Sequence, residues 1–329
     1  MVAELPNPAL ILLLKSATQD PDICRVSVLQ TLWSGYGQCL RYYSLQNQEY
    51  RVAKIISPPQ AAEHPKGWAS ETAHNRKLES YRVETAFYTR IQSQLNAPAF
   101  SAKLLFQYQS RDTSLLVLED LKYSGFSVTP TTLSAQQCQP VLQWLAQFHG
   151  QFIGIDTPGT WSRGTYWHLG TRQKEFEAMP GGPLKSSASK LEKALFCSPY
   201  QTLLHGDAKV ANFCFTPDFS QAAAVDFQYT GKGIGVQDLV YFLGSALEES
   251  EQKVHFDELV DNYFEYLWRV IANKSGHQKA NEVTADWRVR TDIACADFHR
   301  FLAGWSPGHW KINALLKSQT QRALKILAD

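Results

Sequence analysis

His205-Gly206-Asp207-Ala208-Lys209-Val210-Ala211-Asn212-Phe213-Cys214-Phe215-Thr216, followed after the turn Pro217 to Gln221 by Ala222-Ala223-Ala224-Val225-Asp226-Phe227-Gln228, reads as a short hairpin with polar groups at one end. With Thr216 paired to Ala222 across the turn, the antiparallel register sets Asn212 opposite Asp226. Two short oxygen-bearing side chains then face each other. Mg²⁺ takes hard oxygen ligands, one or two from protein and the rest from phosphate and water, so Asn212 and Asp226 are candidate metal ligands. Asp207, on the loop entering the hairpin, is placed to accept a proton from an attacking hydroxyl, and Lys209 to meet phosphate charge. Taken one at a time, such residues more often serve loop hydrogen bonds and strand ends. The joint spacing points to phosphoryl transfer: His-Gly-Asp, four residues, Asn, a strand, then Val-Asp-Phe.

Outward from this hairpin the chain divides in character. The first third reads as strands around one helix. Strands are expected at 27–33, 38–46 and 49–56, a helix from about Ala73 to Leu95, and strands at 103–108 and 114–119. Beyond Leu121 the pattern is helical, at 134–152, 184–196, 236–248, 256–273, 284–302 and 313–327, with an irregular Gly/Pro/Trp-rich stretch from Thr157 to about Pro183. The expected fold class is α+β and two-lobed: a small sheet-plus-helix lobe over 1–121 and a larger, mainly helical lobe over 122–329.

Composition narrows the function further. Lys plus Arg number 32 and Asp plus Glu 31, a balance that argues against a polybasic nucleic-acid binder. The apolar run Ala9 to Leu14 is far too short to span a bilayer, and the stretch before it lacks the Lys or Arg of a signal peptide. It is expected to begin a helix. The six cysteines show no CxxC spacing. They are read as reduced thiols of a cytoplasmic protein, with no zinc site among them.

The hairpin resembles the kinase fold in its branch of small-molecule phosphotransferases: choline kinases, aminoglycoside phosphotransferases and, most closely, the ecdysteroid kinase-like family. The resemblance includes Gln228 after Asp226-Phe227 and continues through Asp238-Leu239-Val240-Tyr241-Phe242-Leu243. It implies a bilobal protein kinase-like fold, with ATP and Mg²⁺ as cofactors. It implies that Lys54, in Arg51-Val52-Ala53-Lys54-Ile55, meets the α and β phosphates, and that Glu84 orients Lys54. Glu79, on a different helix face, competes with Glu84 for that role. Gly35 and Gly37, in Ser34-Gly35-Tyr36-Gly37, stand where a phosphate-covering loop belongs, although Leu40 replaces its third glycine. Glu119 and Leu121 fall at the implied adenine-facing hinge. His205 is expected to prop the loop, His149 to be a hydrogen-bonded core histidine, and Asp238 to be a structural carboxylate at a helix start.

The acceptor is expected against the C-terminal helices. Tyr166 and Trp167 form one aromatic wall, and Asp297, His299, Trp305 and Trp310 belong to another dense in rings and polar groups. A sugar site needs more Asp, Asn and Gln than this segment offers, since each buried hydroxyl wants a partner. The expected acceptor is therefore an amphipathic or amine-bearing alcohol. Two rivals stand beside this reading. A non-catalytic nucleotide-binding pseudokinase is disfavoured because Lys54, Asp207, Asn212 and Asp226 are all present. A protein kinase is disfavoured because only Phe227 to Gly235 separates Asp226 from the next expected helix, too short for a full activation loop.

Overall fold

The computed structural model describes residues 5–32, 35–58 and 71–328, of 71 and 72 the backbone only. Helix α1 (Pro8–Thr18) leads into strands β1 (Ile23–Thr31), β2 (Gly37–Ser44) and β3 (Glu49–Ile56). Helix α2 (Glu71–Ala86) follows, then β4 (Phe100–Ser101), β5 (Leu104–Gln109) and β6 (Ser114–Glu119). Five of these strands make an antiparallel sheet in the order β1-β2-β3-β6-β5. Side chains alternate across a strand. Ala53 and Ile55 join Leu40, Leu115 and Val117 beneath Leu10 and Leu14 of α1, which sends Lys54 to the opposite face. α1 starts where Asn7 accepts the Ala9 amide and Pro8 takes the first helical turn.

The expected helix at 73–95 is regular only as far as Ala86. A π-helical turn (Phe87–Ile91) and a 3₁₀ turn (Gln92–Gln94) complete it. Gly37 has no room for a side chain: a Cβ there would stand 1.9 Å from the Ile55 carbonyl oxygen, at φ +137°. Close packing of β2 on β3 is a sufficient reason for this glycine.

The larger lobe contains α3 (Ala135–Phe152), α4 (Gln173–Ala178), α5 (Pro183–Ser186), α6 (Ala188–Phe196), α7 (Val236–Ala246) and α8 (Glu249–Ser275). Then come α9 (His277–Arg288), α10 (Thr291–Trp305) and α11 (Ala314–Ile326). Ser134 and Gln137 form a reciprocal capping box at the start of α3. The single helix expected at 284–302 is in fact two, α9 and α10, broken at Val289–Arg290. At the break Arg290 donates outward to the Ala194 carbonyl at 3.0 Å and back to the Asp286 carboxylate of α9 at 2.6 Å. α7 is buried along its whole length except at Gly244 and forms the centre of this lobe.

Four short strands complete the fold. β7 (Thr202–Leu204) pairs with β10 (Gly231–Gly233), and β8 (Phe213–Phe215) with β9 (Ala222–Ala224). β4 joins β9 in parallel, Phe100 against Ala223 and Ser101 against Ala224. A strand from the first third of the chain is thus bound to the helical lobe. No helix among the described residues is long and apolar enough to cross a membrane.

Candidate active site

The hairpin register differs by one residue from the expected one. Phe215 pairs with Ala222 and Phe213 with Ala224, so Asn212 lies opposite Val225, whose amide donates to the Asn212 carbonyl at 2.9 Å. A one-residue slip sends a strand side chain to the other face. Two departures from strand geometry compensate. Asn212 ends a 3₁₀ turn (Val210–Asn212), and Asp226 takes a left-handed backbone at φ +67° just beyond β9. Such a conformation is uncommon for a non-glycine residue. It directs the Asp226 carboxylate to Lys54 of β3, at 3.2 Å.

Lys54 is the central cation. Its Nζ lies 2.8 and 2.7 Å from the two oxygens of Glu84 on α2, deep between the lobes. Glu79 instead sits 3.3 Å from Arg82 near the surface, so the partner of Lys54 is Glu84. Burial alone would lower the Lys54 pKa, but Asp226 and Glu84 outweigh it and hold the ammonium well above its ordinary value. Burial likewise disfavours ionised Asp226, yet Lys54, Lys77 and Lys209 together pull its pKa down to about 2. Gln228 donates to the same Asp226 oxygen at 2.5 Å and accepts from Lys77 at 2.8 Å.

Asp207 has one oxygen engaged and one without a partner. Oδ2 accepts from Lys209 and from Asn212 Nδ2, each at 3.1 Å. Oδ1 is buried with no hydrogen bond. Burial raises the Asp207 pKa, with Asp226 adding to the rise and Lys209 opposing it. The Asn212 amide nitrogen also donates to the Asp207 carbonyl at 2.8 Å, which leaves the Asn212 side-chain oxygen as its available ligand atom.

The loop carrying Asp207 is held from below. The Asp238 carboxylate accepts the His205 amide at 2.6 Å, the Gly206 amide at 3.0 Å and His149 Nε2 at 3.1 Å. His149 contacts the Tyr263 hydroxyl with its other nitrogen at 2.8 Å. Asp238 is therefore more than a helix-start carboxylate: it reaches across to orient the loop. His205 Nε2 contacts the Val225 carbonyl at 3.0 Å and Nδ1 accepts the Asp207 amide at 3.3 Å. Burial lowers its pKa, which suits a neutral prop. Gly206 is obligatory, since a Cβ would stand 1.9 Å from the Tyr229 carbonyl oxygen at φ +80°.

The expected acceptor residues divide. Tyr166 meets Phe301 edge-on at 5.3 Å, Phe301 stacks on Trp305 at 5.7 Å, and His309 links Trp305 to Trp310 at 5.7 Å each way. Tyr166, Trp305 and Trp310 thus share one run of rings, with Trp305 46% and Trp310 59% exposed. The Tyr166 hydroxyl donates to the Tyr241 hydroxyl at 3.2 Å. Asp297, however, is turned into the core, where its oxygens accept from Arg300 at 2.9 Å and from the Trp167 indole at 3.1 Å. Trp167 itself is fully buried and lines no open wall. His299 contacts Thr320 of α11 at 2.8 Å and belongs to helix packing. Both have internal partners: Asp297 meets Arg300 one turn along α10 and the Trp167 indole of the irregular segment, and His299 meets α11.

At the end of the five-stranded sheet, β6 closes on Glu119, whose oxygens accept from Ser124 at 2.6 Å and from the Lys103 amide at 3.2 Å. Leu121 is buried in the main core. Gly35 lies in the link from β1 to β2, with a left-handed φ of +71° and open space around it, and Gly37 opens β2. Ser34 lies outside the described residues. Two cations escaped sequence reading. Lys77 had a usable signal, since it precedes Glu84 by seven residues and so shares its helix face. Lys311 had none beyond its place beside Trp310.

Residues 64–153 and 173–274, more than half of the chain, match the model of the ecdysteroid kinase-like family. The chain belongs to the ecdysteroid kinase-like family. Its matched segments include Glu84, Lys77, Asp207, Asn212, Asp226 and Asp238, whereas Lys54 and the Trp305–Lys311 segment lie outside them. No curated protein matches this ecdysteroid kinase-like chain. Similar solved structures include an aminoglycoside phosphotransferase from Streptomyces rimosus, at 14% identity and TM-score 0.48, covering 89% of this chain and 97% of that one. The same protein in complex with ADP and streptomycin shows 13% identity and TM-score 0.46, covering 86% and 97%. An ethanolamine kinase from Plasmodium vivax shows 8% identity and TM-score 0.45, covering 93% and 83%.

Proposed function

We propose that this chain is an ATP-dependent phosphotransferase that acts on a hydroxyl of a small amphipathic molecule. The observation that carries the reading is the Asp207 carboxylate, buried, with Oδ2 fixed by Lys209 and Asn212 and Oδ1 without a partner. Oδ1 is the atom we assign to the acceptor hydroxyl. The hydroxyl oxygen attacks the γ-phosphorus of ATP, its proton passes to Asp207, and the bond from the γ-phosphorus to the β–γ bridging oxygen breaks to release ADP. The raised Asp207 pKa makes it a better base than an ordinary carboxylate. Lys209 supports the charge of the moving phosphoryl group.

Lys54, held by Glu84, meets the phosphates nearer the nucleoside, while Gly35 and Gly37 border the phosphates and the hinge at Glu119 and Leu121 borders adenine. The free oxygens of Asn212 and Asp226 are hard donors of the kind Mg²⁺ prefers, and bound Mg²⁺ would neutralise phosphate charge. Little covalent chemistry is asked of the protein, so alignment and charge carry the rate.

The test is nucleotide-dependent stabilisation followed by turnover. MgADP at a hundredfold over its dissociation constant adds about 2.7 kcal/mol of stability, read as a higher melting temperature. Without Mg²⁺ the rise is expected to be much smaller, because the Asn212–Asp226 donor pair then has nothing to bridge. ADP release with a panel of alcohols completes the test. A metal-independent rise, or no rise at saturating nucleotide, contradicts the assignment of Asn212 and Asp226.

A further inference from the structure

Lys311 occupies the place where the run of aromatic rings approaches the base. Its ammonium lies 4.9 Å from the centre of the Tyr241 ring, 5.5 Å from that of Trp310 and 5.8 Å from that of Phe298. Tyr241 shares a hydroxyl contact with Tyr166, so these rings continue into the Tyr166–Trp305 ledge. Asp207 attracts the Lys311 ammonium and Lys209 repels it, while burial is the largest influence and brings its pKa down to about 8. Among the described residues Lys311 makes no salt bridge. Asp297 is engaged by Arg300. Glu175 is engaged by Arg172 at 3.1 Å, and the Arg172 guanidinium lies over the Tyr166 and Phe301 rings at 5.4 and 5.5 Å.

Glu175 balances Arg172 and Asp207 balances Lys209, so Lys311 is the cation left at these rings without a salt bridge of its own. Aromatic faces favour a cation, but here the protein supplies the cations itself, as Lys311 and Arg172. A half-buried ammonium without a carboxylate is a costly arrangement that rings relieve only in part. An amine on the acceptor would add a like charge to the same faces.

We propose that Lys311 binds an anionic group of the acceptor, so that the substrate is a hydroxylated acid: an amphipathic body with an alcohol at Asp207 and a carboxylate or similar anion at Lys311. This rests on the phosphotransfer reading and names its substrate class. Tyr166, Phe301 and Trp305 take the apolar body, and Lys311 ties the acid end close to the base. Opposite charge within hydrogen-bond reach of a desolvated ammonium gives discrimination that ring stacking alone does not.

The experiment uses two probe series, one aliphatic and one flat. They are ω-hydroxydodecanoate and hydroxymethylbenzoate, each with its methyl ester and its amine counterpart. Affinities come from melting shifts of the full chain in saturating MgADP. The acids are expected to bind at least about tenfold tighter than the esters in at least one series, a difference of about 1.4 kcal/mol, with the amines weakest. Lys311→Met is expected to erase the acid advantage and Lys311→Arg to keep it. The MgADP shift of each variant serves as its folding control.

The proposal is overturned if amines match or exceed acids, if the acid advantage survives in Lys311→Met, or if that variant weakens ester and acid alike. It is also overturned if no member binds. Failure of MgADP to stabilise the unmodified chain would instead strike the phosphotransfer reading itself, and this proposal with it.

Discussion

Asp207→Asn is expected to lower turnover of an accepted alcohol by roughly 10²–10⁴-fold while the MgADP-induced rise in melting temperature persists. The substitution keeps the size of the side chain and removes its basicity. Lys209 and Asn212, both 3.1 Å from Oδ2, can still contact the amide oxygen, so the loop has no reason to move. Its geometry is set by the backbone contacts to Asp238, which the substitution does not touch. Initial rates of ADP formation and melting curves on the same preparation separate chemistry from nucleotide binding. Unchanged turnover would remove Asp207 from the mechanism, and loss of the MgADP shift would make it a nucleotide ligand instead.

Asp297→Ala is expected to cost about 3–5 kcal/mol of stability, the usual penalty for removing one partner of a buried ion pair. Arg300 is only 1% exposed and Asp297 only 3%. Without the carboxylate, Arg300 keeps a contact to the Trp167 carbonyl at 2.9 Å but loses its counter-charge, and the Trp167 indole loses its acceptor. Trp305→Ala removes a ring that is 46% exposed and is expected to cost far less. Chemical denaturation of both variants reads the difference. Wild-type stability in Asp297→Ala together with a raised Michaelis constant for the acceptor would return Asp297 to the acceptor site.

These two residues mark what the sequence disclosed and what it withheld. Asp207, Asn212 and Asp226 lie within twenty residues of one another, and local spacing reveals such a cluster even when the strand register is misjudged by one. Lys54 and Glu84 were legible through the family resemblance, supported by a strand lysine that precedes a helix with a glutamate among apolar residues. Asp297 was not legible. Its neighbours in sequence are aromatic, and nothing local tells whether the carboxylate faces a cleft or Arg300, one turn along the same helix. The break between α9 and α10 was hidden for a similar reason, since the contact of Arg290 with the Ala194 carbonyl joins residues far apart in the chain. That Lys311 lies against these rings without a carboxylate bonded to it needs the third dimension entirely.

The segment from Gln94 to Ser101 is anchored to the helical lobe at several points. The Asn96 amide donates to Gln151 at 3.1 Å, Gln151 donates to the Gln94 carbonyl at 2.5 Å, the Trp144 indole donates to the Phe100 carbonyl at 2.8 Å, and β4 pairs with β9. The chain crosses to that lobe a second time just after β6. The two crossings lie side by side, with the Glu119 amide donating to the Lys103 carbonyl at 2.9 Å and the Phe126 ring 5.7 Å from that of Phe100, so they form one double-stranded joint that bends more readily than it twists. Lobe motion should then be described by one angle, along which the Lys54–Asp226 separation varies while Phe100 and Ala223 remain paired. Distance labels across each pair would distinguish this motion from free swivelling, in which both separations change together.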